Sequence, residues 1–294
     1  MSTKVLVDTD IGSDIDDAVA LTYLLRQPAC DLLGITTVTG EPLKRAMLAS
    51  AVCRAAGRDD VPIVPGAADP LLVEQGQRAA PQAEVLDRWD HRADFAPNDA
   101  VRFLRQTIRA HPGEVTLLTI GPLTNVGLLL AMDREIPSLL KDLVLMCGYF
   151  RLGTVPRENP REWNAIGDPH ATAIVYAARP PRHLSVGLDV TLQCRMPTAE
   201  AVAKFTAPPL NCVAEMAEVW GRRSEVMTFH DPLAAALIFE PDLCAYATGE
   251  VAIELADPQL AGMTHWREGD GGPHTIATAV ERDRFFDHYF RICG

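Results

Sequence analysis

The chain has 294 residues, 48% hydrophobic and 22% charged, enough to bury one large α/β domain and too apolar for a disordered or low-complexity protein. Its formal net charge is −12 with no basic stripe, so nucleic acid is not an expected partner. No apolar run approaches a membrane span, and the first residues enter a strand pattern without a charged and then apolar leader, so a cytoplasmic protein with no membrane partner is expected.

Val5-Leu6-Val7 predicts the first strand, and residues 17–26 the first helix. Between them, Asp8-Thr9-Asp10-Ile11-Gly12-Ser13-Asp14-Ile15-Asp16-Asp17 holds five carboxylates in ten residues. Acids favour the positive end of a helix dipole, which accounts for Asp14 and Asp16. It does not account for Asp8 and Asp10, which belong to the strand end. Open α/β sheets bind ligands beyond the carboxyl ends of their strands. So many like charges repel unless a cation neutralises them, and an all-oxygen set points to a hard divalent metal.

Strand and helix patterns then alternate: strand 32–38, helix 43–56, strand 61–64, helix 98–111, strand 115–120, helix 122–131, strand 143–146, helix 169–178 and strand 183–186. This rhythm predicts an open, mostly parallel, Rossmann-like sheet with helices on both faces. Two polar stretches interrupt it, 67–97 and 151–163; loops of this length act as lids or binding loops, and the first reads equally well as a surface insertion. Beyond residue 188 come a helical zone at 199–220, a helix at 233–239, late strands at 251–255 and 275–280 expected to be antiparallel additions, and a closing helix at 282–292. No repeat or linker divides the chain, so residues 1–294 are expected to form a single domain. The seven cysteines are scattered and lack CxxC spacing, which suits buried small apolar residues in a reducing compartment.

Four segments place polar residues at the ends of apolar runs: the acidic cluster, Thr119-Ile120-Gly121-Pro122-Leu123-Thr124-Asn125, Glu162-Trp163-Asn164, and Phe229-His230-Asp231-Pro232. A lone Asp-Pro is a helix cap and first turn, and a lone Glu-x-Asn carries no message. Together in an α/β frame they define a candidate site.

In this order the motifs resemble the inosine-uridine preferring nucleoside hydrolase family over nearly the whole length. Ile35-Thr36-Thr37-Val38, Leu145-Met146, Gly167-Asp168-Pro169 and Gly187-Leu188-Asp189-Val190-Thr191 fall in the same family order. The resemblance implies a Ca2+-dependent enzyme of purine or pyrimidine salvage that cleaves the N-glycosidic bond of ribonucleosides, assembled as a homodimer or homotetramer. It implies Asp10, Asp17, Asp231 and the backbone carbonyl of Ile120 as metal ligands. Asp10 would be the base and His230 the group near the departing nucleobase. Asp16, Glu162 and Asn164 would meet the ribose hydroxyls, with Met146 lining the sugar pocket. One position departs from the family: after Gly40 stands Glu41 where an Asn is usual. An ionised Glu cannot donate a hydrogen bond; it could accept from a hydroxyl, add negative charge near the metal or turn away, and altered sugar contacts are expected. Trp89, His91, Trp220, Arg222, Arg223 and Phe229 fall in lid-like regions and are candidates for the base side, with packing an equal reading for each aromatic.

Two rivals remain at this point. Asp8-Thr9-Asp10 at a strand end also suits a haloacid dehalogenase-type phosphatase with Asp8 as nucleophile and Mg2+ as ion. That reading lacks its downstream acidic motif, which Gly269-Asp270-Gly271-Gly272 does not supply. The other rival is a riboside-binding protein that keeps the fold without turnover, for which Glu41 is the only hint.

Overall fold

The structure, a computed structural model, describes residues 2–222 and 224–294. Its centre is strand β1 (Thr3–Thr9), flanked by β2 (Cys30–Thr37) and β4 (Val115–Thr119), both parallel to it. Outward on one side lies β3 (Ile63–Pro65). On the other lie β5 (Leu140–Leu145), β6 (His183–Ser185), β11 (His274–Val280), β9 (Cys244–Ile253) and β10 (Thr264–Glu268), giving a nine-stranded sheet. Every pair from β3 to β11 is parallel, and the pairs made by β9 are antiparallel.

Both faces of this sheet are covered, which is why its strands read as unbroken apolar runs. Val5 and Val7 belong to one core cluster and Leu6 to the other; Leu118 and Val144 join the first, Leu117, Leu143 and Leu145 the second. Successive side chains on a strand point to opposite faces, so the alternation marks two cores separated by the sheet.

The chain lays down β1, β2 and β3 in one direction and returns to the far side of β1 for β4, β5 and β6. The order therefore reverses between β1 and β4, and a crevice opens beyond their carboxyl ends. Asp10 follows β1 directly and Ile120 follows β4. Helix α1 (Asp16–Arg26) packs on helix α11 (His230–Ala236). Ala18 and Ala20 on one, with Ala234, Ala235 and Ala236 on the other, are fully buried. Small side chains at such a contact let the helix axes approach closely, and this approach carries Asp231 to Asp16 and Asp17.

The C-terminal third departs from expectation in four ways. β11, read as an antiparallel addition, pairs parallel with β6 and antiparallel only with β9. β10 was not anticipated, because Thr-His-Trp-Arg-Glu has no apolar alternation to signal an outer strand. The helical zone divides at Pro208-Pro209, where two amide protons are missing, into helices over Thr198–Lys204 and Leu210–Gly221. Arg195–Pro197 and Val226–Thr228 pair as a separate two-stranded sheet. All seven cysteines are unpaired and, apart from half-buried Cys30, buried. Among the described residues no helix is long and apolar enough to cross a membrane.

Candidate active site

The carboxylates converge. Asp16 and Asp17 open α1 and Asp231 sits in the first turn of α11, and each brings a carboxylate oxygen within 4.8 Å of the other two. Asp16 Oδ2 accepts the backbone N–H of Asp231 at 3.1 Å, which ties the two helix starts together. Thr9 donates its hydroxyl to Asp17. Burial, the dominant cause, pushes the carboxyls of Asp16, Asp17 and Asp231 well above the usual carboxylate range, and repulsion from neighbouring aspartates, Asp10 and Asp14 included, adds to it. Asp10 lines the same cavity of about 710 Å3. Its carboxyl is raised by burial and lowered in part by the charge of Arg45.

Arg45 was not singled out from the sequence. It is fully buried, and its guanidinium binds backbone rather than carboxylate. It donates to the carbonyls of Thr39 (2.6 Å), Ile11 (3.1 Å), Ala79 (3.3 Å) and Asp10, and to the Ser13 hydroxyl (3.0 Å). This fork fixes the turn that carries the acids. Gly121 is required by close approach: a Cβ there would lie 2.8 Å from the Asp10 nitrogen and 2.9 Å from its Oδ1.

The opposite wall is built by the segment after β5. Glu162 caps the short helix Trp163–Gly167, accepting the N–H groups of Asn164 (2.6 Å), Ala165 (2.9 Å) and Gly148 (3.1 Å). Asn164 donates Nδ2 to the carbonyls of Ile120 and Met146, both at 3.0 Å, latching the ends of β4 and β5. Met146 is buried beside it. A second carbonyl lone pair at Ile120 remains for another partner. Asp16, Asp17 and Asp231 offer oxygens alone, with Asp10 and Ile120 lining the same cavity, and such an all-oxygen acidic set suits a hard divalent cation.

Gln77, also missed, comes from the first polar stretch. It donates Nε2 to Asp10 Oδ2 at 2.7 Å and accepts the indole N–H of Trp163 at 2.6 Å, although Trp163 is 52% exposed. The two loops thus meet over Asp10. His230 is half-buried, with Nδ1 2.7 Å from the Thr191 hydroxyl. Burial first, then the charges of Arg157 and Arg195, push its imidazole down to about 3, so the ring is neutral at pH 7. Arg157, Arg161 and Arg195 line the cavity with it.

Other expected residues are not brought to the cavity. Glu41 turns away: it pairs with Lys44 at 2.5 Å and accepts the Ala80 N–H at 3.1 Å, and these partners hold its carboxyl below the usual range. Phe229 is buried edge-on against Phe286 and Tyr289. Trp220 and Trp89 pack against the core, and His91 bonds the Trp89 carbonyl at 2.8 Å. Arg222 is committed to Glu84 through bonds of 2.8 and 2.9 Å. Arg223 lies outside the described residues. The cause is common to the aromatics: large apolar rings gain more from the core than from a wet rim. Asp8 is likewise sealed in, bound to Asn125 at 2.8 Å and to Thr36, and burial lifts it to about 7. It does not line the cavity, so it is not placed to attack a phosphate ester, and the phosphatase reading loses its nucleophile.

Reversal-point crevice, converging carboxylates and capped helix define an α/β protein with an acidic cavity beyond the carboxyl ends of its central strands. Residues 5–287 match the inosine-uridine preferring nucleoside hydrolase family, and the chain belongs to it. It is accordingly a nucleoside hydrolase, an enzyme that splits N-ribosyl bonds. A pyrimidine-specific ribonucleoside hydrolase, RihA of Photobacterium profundum, is 31% identical over 90% of this chain and 88% of its own length. Uridine nucleosidase 1 of Arabidopsis thaliana is 28% identical over 85% of this chain and 78% of its own. A solved plant nucleoside hydrolase, PpNRh1, superposes with a TM-score of 0.86 at 25% identity, covering 100% of this chain and 99% of that one.

Proposed function

We propose that the chain hydrolyses the N-glycosidic bond of ribonucleosides to free base and ribose, with Ca2+ as cofactor and Asp10 as general base. The observation that carries this reading is the meeting of Asp10, Asp16 and Asp17 with Asp231, more than two hundred residues away, opposite Glu162 and Asn164 in one cavity. Ca2+, held by Asp10, Asp17, Asp231 and the Ile120 carbonyl, would supply the positive charge that anchors a ribose diol and acidifies a water. Asp16, Glu162 and Asn164 bind the ribose hydroxyls, and Met146 packs against the sugar. Asp10 takes the proton of the water that attacks the anomeric carbon. The bond breaks through an oxocarbenium-like state, and the surrounding carboxylates favour the positive charge that develops. Thr191 holds His230 through Nδ1, leaving Nε2 to serve the departing base as a neutral imidazole.

The names of the relatives make uridine the first substrate to test. A cytoplasmic salvage role and a homodimeric or homotetrameric state are part of the proposal on the strength of resemblance alone. The test is reducing-sugar release from a panel of purine and pyrimidine ribosides and deoxyribosides, with Ca2+ or with chelator. Sugar release that needs Ca2+ and is lost in Asp10→Ala supports the reading. No sugar from any riboside in the presence of Ca2+, with ligand-induced thermal stabilisation intact, would replace it by the binding-protein reading.

A further inference from the structure

We infer that the substrate of this site carries an anionic group, a carboxylate on the base or a phosphate on the sugar, held by Arg157, Arg161 and Arg195. The inference rests on the nucleoside-hydrolase reading and narrows it. Arg157 and Arg161 come from the Pro-rich stretch before Glu162, and Arg195 from the separate two-stranded sheet, yet all three line the cavity that holds the carboxylates. Among the described residues, none of these side chains makes an ion pair or a hydrogen bond. Acidic partners are not scarce, since the chain has 39 Asp and Glu against 27 Lys and Arg. Many arginines elsewhere take such partners, as Arg222 does with Glu84 and Arg109 with Asp133. Others, such as Arg78 and Arg151, take none among the described residues, but Arg157, Arg161 and Arg195 are set apart by lining one cavity together, and that convergence points to a ligand.

Arg157 and Arg195 line the cavity together with His230, the residue that the proposed function sets beside the departing base. The Arg157 guanidinium lies 5.9 Å from the Tyr149 ring centroid, a contact that supports its planar face and leaves its N–H edge for a ligand. The same cavity holds the carboxylates. A neutral riboside leaves the guanidiniums without a partner, whereas a riboside with an anion engages them, because the guanidinium fork matches carboxylate and phosphate oxygens bidentately. The guanidiniums also bear on the bond-breaking step. When the C1′–N bond breaks, its electron pair goes to the base nitrogen, water oxygen bonds to C1′, and the water proton goes to Asp10. Fixed positive charge beside the departing base stabilises the negative charge it acquires.

The test compares kcat/KM of the full chain, with Ca2+, on uridine, on orotidine (a uridine with a carboxylate on the base) and on uridine 5′-monophosphate. Thermal stabilisation by each compound is read in parallel. The expected result is that one anionic compound exceeds uridine by tenfold or more, with the advantage shrinking as salt rises. Preference for orotidine puts the anion on the base, and preference for the monophosphate puts it on the sugar. Arg157→Gln and Arg195→Gln should each lower the anionic-to-neutral ratio by about tenfold. If uridine is hydrolysed and neither anionic compound surpasses it in turnover or stabilisation, the inference is overturned and the hydrolase reading stands. If no compound is hydrolysed, the hydrolase reading fails. Binding then decides: stabilisation by an anionic compound that is lost in the double variant upholds the anion site, and its absence overturns it.

Discussion

Asp231→Asn should stabilise the protein in chelator while removing its activity. Asp231 has oxygens within 4.8 Å of both Asp16 and Asp17. Two unit charges at that distance repel by about 3.5 kcal/mol at an effective dielectric constant of about 20. Part of this is already relieved by proton uptake, since burial and repulsion raise all three carboxyls. A net gain of about 2 kcal/mol is therefore expected for the neutral side chain at pH 7, a rise in Tm on the order of 4 °C. The Asp231 N–H bond to Asp16 is a backbone bond and survives the substitution. The sign with pH follows from linkage. A carboxyl raised in the folded state binds more protons there than in the unfolded chain, so the stability of the chelated wild type falls as pH rises above 4, through the raised values. Asp231→Asn should flatten that slope. Added Ca2+ should raise the Tm of the wild type and leave the variant almost unmoved, and sugar release should drop by a hundredfold or more. The assay is a set of thermal melts from pH 5 to 8, with and without chelator. A variant that melts below the wild type in chelator across this range would refute the argument, because the carboxylates would then be held by attraction the structure does not contain.

Gly121→Ala puts a methyl group 2.8 Å from the Asp10 nitrogen, so it should cost about 1–3 kcal/mol in melts and at least tenfold in kcat by moving Asp10. Gln77→Ala and Trp163→Phe each break the chain of bonds from indole to amide to Asp10, and each should raise KM about fivefold, with the double variant no worse than either single one. His183 is buried with both ring nitrogens unpartnered among the described residues, 4.8 Å from the His274 ring and 5.0 Å from that of Tyr176, and burial pushes it down to about 3. The unfolded chain binds the proton below about pH 6.5, so this contribution is complete above 6.5 and is lost as pH falls toward 3. His183→Phe should reduce the loss of unfolding free energy between pH 7 and pH 5 by about 2 kcal/mol, measured in denaturant titrations.

Most of the sheet was legible because its strands are buried on both faces and the chain punctuates them with helices. Val5-Leu6-Val7 followed by acids already marked the carboxyl end of a strand as a ligand-binding position, while the reversal of strand order beside it emerged only from the sheet topology. The candidate site was legible to the extent that its residues sit at element ends, where position in the sequence fixes position in space: Asp10 and Ile120 after strands, Asp17 and Asp231 at helix starts, Glu162 and Asn164 at a cap. Gln77, Arg157 and Arg195 were not legible, since long loops and a small separate sheet bring them to the cavity by tertiary folding alone. Glu41, counted among the sugar contacts, instead takes the alternative of turning away. It precedes Pro42 at a helix start, with Lys44 three residues on, and that local pairing, readable in the sequence, turns it from the cavity. The aromatics Trp220 and Phe229 carried no signal to separate stacking on a ligand from packing, and packing took both.

Arg45 explains why the acidic cluster still needs a partner. A buried arginine among aspartates looks like their counter-ion, yet its donors are spent on the carbonyls of Thr39, Asp10, Ile11 and Ala79 and on the Ser13 hydroxyl. Its charge reaches Asp10 as the second influence after burial, while for Asp17 it ranks behind the repulsion of Asp10 and Asp16. For Asp16 and Asp231 it is not among the principal influences at all. The guanidinium therefore shapes the turn without neutralising what the turn presents. The carboxylates are held in register by backbone bonds and left electrostatically unsatisfied. That combination costs stability in the ligand-free protein and preorganises the cluster for a cation, so the same charges that weaken the fold in chelator are the ones expected to bind Ca2+ and the ribose diol.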